Sequence, residues 1–316
     1  MKTLINRCNV KALIAVLSLA MAWQSHAALI TFGGQTPTDG SQQTSAEVPD
    51  SAWINADGTS SGNLVTNIID PSSMWFIETF DQATQNPFLP AGIYDDTGLS
   101  WLEIRNNGCG INSGGALNIS GAGGFGVQQG NTAQAAHDNA NSTCFAYAPH
   151  YGVTPANADA LIDYTSFIAS QGLGAYIGYL GLYFGSIDTY NSLQFGNINE
   201  SNEFVAIDFN LNGQTYSTLS GTTILDELEL VSGDRNGSNR YVNIFFDASE
   251  QFTAFRMINT TTRAFEVDNI VVGFSTAVNI PGPGTLGILG LGLIGISFCR
   301  KTFATKLKCN SSSDMV

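Results

Sequence analysis

The chain has 316 residues, with 26 acidic side chains against 12 basic ones and a formal net charge of −14. Residues 28–278 carry five Arg, no Lys and 25 acids, a net of −20, and the other basic residues lie near the two ends. So negative a surface repels nucleic-acid phosphates and anionic headgroups; it excludes nucleic-acid binding and suits solubility or divalent cations.

In chain order, Lys2, Arg7 and Lys11 form a basic start, residues 12–23 an apolar run, and Ser25-His26-Ala27 a processing site with small outer residues. The pattern predicts a secretory signal peptide over 1–27, cut after Ala27. Residues 28–278 remain as the exported ectodomain, long enough for one large β domain or two small ones. Cys8 falls in the signal and Cys299 and Cys309 near the C-terminus, which leaves Cys109 and Cys144 as the ectodomain's pair. In an oxidising compartment the two are expected to join. The alternative, a metal site made with His137 and His150, follows no zinc spacing.

Residues 29–32, 74–80 and 99–105 read as strands, each bounded by turn formers. Residues 106–142 are glycine-rich and nearly uncharged, either a long loop or two weak strands around 116–119. Gly121, Gly123 and Gly126 have the G-x-G-x-x-G spacing, but no parallel-strand run precedes them and no helix follows, so they read as a loop. Thr154-Pro155 can cap a helix toward Ile168, while Ile162, Tyr164, Ser166 and Ile168 alternate as a strand would. The expectation there is a short helical or irregular entry followed by a strand.

Residues 176–187 and 192–195 read as strands joined by a turn over 186–191. Val205, Ile207, Phe209 and Leu211 alternate with small or polar residues, which predicts one half-buried antiparallel strand. Asn212-Gly213 then turns a hairpin into 214–219. Residues 223–231 stay open between helix and strand, and 241–246 and 252–258 are apolar on both parities, as central strands are. Phe265 and Val267 share one parity while Ile270, Val272 and Phe274 share the other, so a β-bulge is expected at Asp268-Asn269. Many short strands with frequent turns predict an all-β fold, an antiparallel β-sandwich or jelly-roll-like ectodomain.

Two stretches, Tyr179-Leu180-Gly181-Leu182-Tyr183-Phe184 running on to Asn191, and Asn239-Arg240-Tyr241-Val242-Asn243 running on to Phe246, resemble a family of exosortase-dependent surface proteins of proteobacteria and cyanobacteria. The resemblance runs from Asp163 to the C-terminus. It implies a surface role and a β-sandwich body, and it carries over no functional residues.

The C-terminal part has its own logic. Pro281-Gly282-Pro283 leads into an apolar run over 285–298 that is closed by Arg300-Lys301. As a helix this run spans roughly 21 Å against a hydrocarbon core of about 30 Å, short for a permanent anchor. Gly287, Gly290, Gly292 and Gly295 permit close approach of a partner helix. The order of parts over 279–308 resembles the PEP-CTERM sorting signal of exosortase-dependent proteins, with Gly282 standing where that motif has Glu; residues 309–316 form a polar end. The resemblance implies an exosortase-type sorting protease and transient contact of a short hydrophobic helix, 285–298, with the bacterial membrane. It further implies an inner-membrane-tethered intermediate, then the cell surface or extracellular matrix, with exopolysaccharide as a candidate partner.

For chemistry, the ectodomain has no G-x-S-x-G elbow and only His137 and His150, so no enzyme is expected. Glu78, Asp81 and Asp268 are the candidate Ca²⁺ ligands, by analogy with jelly-roll carbohydrate modules; their plainer reading is solvated edge acids and a turn Asp. Asp188, Tyr190 and Asn191 are the candidate sugar ligands, or simply turn formers bonding their own backbone. The expected function is a structural or adhesive surface role, and the alternative is a carbohydrate-binding module stabilised by Ca²⁺.

Overall fold

The structure, a computed structural model, describes residues 27–36, 43–53, 74–80, 93–94, 102–104, 109–112, 118–121, 123–129, 144–148, 158–171, 175–185, 187–230, 239–261 and 265–276. Residues 1–26, Asp81, His137, His150, and the C-terminal Pro281, Gly282, Pro283, 285–298, Arg300 and Lys301 lie outside the described residues. Residues His26–Ala277 cluster as one unit.

The strands are β1 (Leu29–Phe32), β2 (Trp75–Glu78), β3 (Ile93–Tyr94), β4 (Leu102–Ile104), β5 (Ile111–Asn112) and β6 (Asn118–Ser120). There follow β7 (Phe125–Gln129), β8 (Cys144–Ala148), β9 (Ala158–Asp163), helix α1 (Thr165–Gln171), β10 (Ala175–Gly185) and β11 (Asn191–Ile198). The chain continues with β12 (Phe204–Ala206), β13 (Phe209–Leu211), β14 (Gln214–Tyr216), β15 (Leu219–Ser220) and helix α2 (Gly221–Leu228). Last come β16 (Arg240–Phe245), β17 (Ala254–Asn259) and β18 (Phe265–Thr276).

These strands build a β-sandwich-like, mostly antiparallel fold. The first sheet runs β1-β16-β10-β18-β8-β7-β4, with β2 also on β18; the second runs β12-β11-β17-β9-β6, with β15 also on β11. Within the first sheet β4 and β7 pair in parallel. Alternation gives each sheet an inner face: Leu180, Val242 and Ile270 from the first meet Ile162, Phe195 and Phe255 from the second in one buried cluster. Tyr164 links the two layers, with its ring 6.0 Å from Phe76 and 6.4 Å from Phe255. Each aromatic or aliphatic side chain so buried contributes about 1.5–3 kcal/mol, which makes this layer the main source of stability.

The outer face of the first sheet is covered too. Val48, Ala52 and Trp53 pack on Ile77, Tyr179 and Val271 as a second small cluster. The Tyr179 hydroxyl donates to Asn243 Oδ1 at 2.6 Å and lies 2.6 Å from Ser45 Oγ, which fastens the covering segment to the sheet. Gly181 makes room beneath, because a Cβ there would overlap the Tyr179 and Tyr241 hydroxyls.

Several expectations are met. β1 has the expected bounds, the run over 176–187 forms β10, and β16 and β17 lie inside their sheets as central strands. Asn212 (φ 52°) and Gly213 (φ 80°) turn the β13–β14 hairpin. Between Gly181 and Tyr183 the partner β18 advances by one extra residue, and Asn269 has φ 45°, so the bulge lies where the parity changes. A second shift, between Ile177 and Tyr179, turns β10 over at Gly178.

Others are corrected. The alternation from Val205 to Leu211 is not one strand: β12 joins the second sheet while β13 pairs with β14, and Val205 is half exposed. The order near residue 160 is reversed, strand β9 first and helix α1 after it, because Asp163 Oδ1 accepts from Thr165 N at 2.8 Å and starts the helix. The open segment is helix α2, whose N-terminus Ser220 caps by accepting from Thr223 N at 3.1 Å and whose end Glu229 sits at φ 55°. Among the described residues no helix is long and apolar enough to cross a membrane.

Candidate functional site

Because inward and outward side chains alternate, the second sheet presents an outer face built from residues far apart in sequence. Ser120 on β6 pairs with Leu161 on β9, Leu161 with Arg256 on β17, and Arg256 with Gln194 on β11, so these four form one row across the sheet. Their neighbours Ile119, Ile162 and Phe255 point into the core. The row lies on solvent, and a groove of about 550 Å³ opens over it, walled by β12 and the turn before it. That volume lies within the roughly 300–1,000 Å³ of small-ligand clefts.

Arg256 is the centre of the groove. Its Nε lies 3.2 Å from Asp159 Oδ2, and its guanidinium carbon sits 4.3 Å over the ring of Phe204. Phe204 can lie there because its cross-strand neighbourhood holds Gly196; a Cβ on Gly196 would come within 2.6 Å of the ring. The turn that leads into β12 is held by Asn199, whose Oδ1 accepts from Ser201 N and Glu203 N at 2.9 Å each. Asn202 in that turn has φ 59°. The geometry sets Glu203 on the rim with Asn199 Nδ2 at 3.3 Å and leaves Val205 50 % exposed beside it. Among the described residues no histidine or cysteine lines the groove. It offers a planar donor, two carboxylates, a hydroxyl and an apolar edge.

Sequence reasoning missed this groove. The available signal was Arg256 itself, one of five Arg in an acidic ectodomain and a lone cation in an otherwise apolar strand.

The residues it did single out are placed as follows. Cys109 and Cys144 form a disulfide with Cα atoms 5.5 Å apart, and both are buried. Glu78 pairs across with Ile270, which faces the main core, whereas Asp268 pairs with Tyr183 on the opposite side of the bulge and of the sheet. Glu78 Oε1 accepts from Phe80 N at 2.8 Å, and Asp268 Oδ1 from Asn269 N at 2.7 Å. The two acids therefore do not converge on one ion, and among the described residues no group of three or more His, Cys, Asp or Glu is arranged to hold a metal.

Asp188, Tyr190 and Asn191 are brought together, but largely for the fold's own use. The Tyr190 hydroxyl donates to the Asp188 carboxylate, Asn191 N donates to Asp188 O at 3.0 Å, and Asn191 Oδ1 accepts from Asn259 Nδ2 at 2.7 Å. Asp188 and Asn191 are buried, and Gly221 at the start of α2 backs the turn. Tyr190 alone of the three keeps partial exposure. Nearby Glu266 is pushed up to about 8, chiefly by burial, with its own backbone bond opposing and the charge of Asp188 adding to the rise.

Residues 279–301 match the family model of the PEP-CTERM protein-sorting motif. The motif implies an exported surface protein, processing by an exosortase and association with the membrane. No curated protein matches the chain. Among solved structures, the K2 cleaved adhesin domain of Lys-gingipain is similar at 14% sequence identity, over 63% of this chain and 98% of that one, with a TM-score of 0.28. That score is too low to carry a fold or an activity across.

Proposed function

We propose that this exported protein is a structural or adhesive component of the cell surface or extracellular matrix, and that it performs no catalysis. The observation that carries the reading is the sorting motif over 279–301 behind a disulfide-bonded, strongly acidic β-sandwich. The membrane contact of 285–298 is transient, and the product leaves the inner membrane after cleavage. Fractionation of a tagged protein with and without residues 281–301 tests this: the intact chain should yield a shortened surface or extracellular species that the deletion lacks. A full-length protein held wholly in the inner membrane would overturn the sorting reading. Gly282 removes the carboxylate that the motif elsewhere presents, so Gly282→Glu is expected to raise the cleaved fraction.

A second reading, a carbohydrate-binding module that meets exopolysaccharide, is favoured by one observation. The outer-face groove combines an aromatic edge with polar donors and acceptors, the mixture that sugar hydroxyls and ring C–H faces need.

A further inference from the structure

We propose that the groove over β6, β9, β17 and β12 is a subsite for uncharged sugar units of a polysaccharide, and that Asp159 sets this preference by neutralising Arg256. The inference rests on the carbohydrate-binding reading and names the ligand class of its site. Arg256 supplies the donors. Its guanidinium carries five N–H groups in a fixed plane, and Nε lies 3.2 Å from Asp159 Oδ2 as an ion pair without a hydrogen bond. The terminal Nη groups donate to no acceptor among the described residues, and the side chain is only partly buried. A planar pair of N–H donors with no partner among the described residues matches two adjacent hydroxyls of a pyranose.

Phe204 fixes the plane of that donor pair by lying under it at 4.3 Å, and it holds the guanidinium without consuming a hydrogen bond. Beside Arg256 the half-buried Leu161, its cross-strand partner on the same face, gives an apolar edge for ring C–H groups. Ser120 on the opposite wall adds a hydroxyl, and Glu203 on the rim adds an acceptor.

Charge decides between neutral and acidic glycans. Among the described residues the lining holds one cation, Arg256, against two carboxylates, Asp159 and Glu203, in a stretch, residues 28–278, of net −20. A uronate or sulfated polymer brought to this wall meets net negative charge, and the one cation already has a counter-ion at 3.2 Å. An uncharged sugar meets donors and acceptors of both kinds and suffers no such repulsion.

The test uses the mature exported protein in affinity electrophoresis through gels containing dextran, laminarin or galactomannan, with alginate as the acidic probe. At least one neutral polymer should retard the protein, and alginate should not. Arg256→Lys keeps the charge and loses the planar fork, so retardation should weaken roughly tenfold. Leu161→Gln changes a partly exposed side chain of the outer face and should weaken it comparably. Asp159→Asn frees the cation and should create alginate retardation that the parent lacks. The proposal is overturned if alginate retards the parent protein or if no neutral polymer does. It also fails if Arg256→Lys and Leu161→Gln leave retardation by a neutral polymer unchanged, in which case sugar binding stands and lies elsewhere. If cells still need the protein for adhesion when every neutral polymer fails, the adhesive reading survives and only the subsite is lost.

Discussion

Tyr164 and Glu266 show how single buried groups set this protein's stability. The Tyr164 ring is packed between the layers against Phe76, Phe255 and Phe274, yet its hydroxyl has no hydrogen-bond partner among the described residues. Burial raises its pKa well above the usual value, and the charge of Glu78 adds to the rise. A buried hydroxyl left unbonded costs about 1–3 kcal/mol. Tyr164→Phe keeps the ring and removes that cost, so its urea midpoint should rise with an unchanged slope, by roughly 1 kcal/mol of stability. A lower midpoint would mean that the hydroxyl is bonded after all. Glu266 acts through pH. Its folded pKa of about 8 stands above the ordinary 4.5, so between these values the folded chain holds a proton that the unfolded chain has released. The contribution is fully present below 4.5 and is lost as pH rises through 8, with a slope of about 1.4 kcal/mol per pH unit. Urea unfolding at pH 5 and pH 8 should therefore show a larger loss for the parent than for Glu266→Gln. Equal losses would remove Glu266 as the linked group.

At the scale of elements, the bulge in β18 decides which acids can meet. Asn269 occupies the left-handed region at φ 45°, donates its side-chain amide to Gln43 O at 3.0 Å, and offers its carbonyl to the Tyr241 hydroxyl at 3.1 Å. Asn269→Gly should cost little more than the amide bond, about 1 kcal/mol, whereas Asn269→Val adds the strain of a β-branched residue at positive φ and should cost clearly more. Thermal unfolding of both variants tests the order; equal losses would refute a backbone origin. The bulge was legible in the sequence because a parity change between Val267 and Ile270 is a local pattern. So were β1, β10, β16 and the Asn212-Gly213 hairpin, where alternation or turn chemistry is contained within a few residues. The split between β12 and β13 was not, because which partner a strand takes depends on register with distant β11 and β14. The candidate site follows the same division. Asp188, Tyr190 and Asn191 stand together in the chain and drew notice, although the fold uses them to fasten a turn. Ser120, Asp159, Phe204 and Arg256 are brought together only by strand pairing, and apart from the lone cation Arg256 in an apolar strand no local pattern announces them.

For the whole molecule, the disulfide joins export to the groove. Cys109 and Cys144, 35 positions apart in sequence, enclose a loop that supplies β6 to the second sheet and β7 to the first. In the chain-entropy account such a cross-link stabilises by about 4 kcal/mol, through the unfolded state. The bond forms in oxidising compartments, beyond the membrane that an exported protein crosses. Since β6 is an edge strand and carries Ser120 on the groove wall, the groove is the part of the fold most exposed to loss of the cross-link. By contrast β10 and β16 pair along their length at the centre of the first sheet, with no dependence on the enclosed loop. Reduction of the purified protein should lower the urea midpoint by a few kcal/mol in stability. It should also release hydrogen-exchange protection in β6 and β7 before β10 and β16 change, and abolish retardation by a neutral polysaccharide at a temperature where the sandwich stays folded. Uniform loss of protection across all four strands would show instead that the sandwich opens as one unit, and that the disulfide serves the entire fold rather than its outer face.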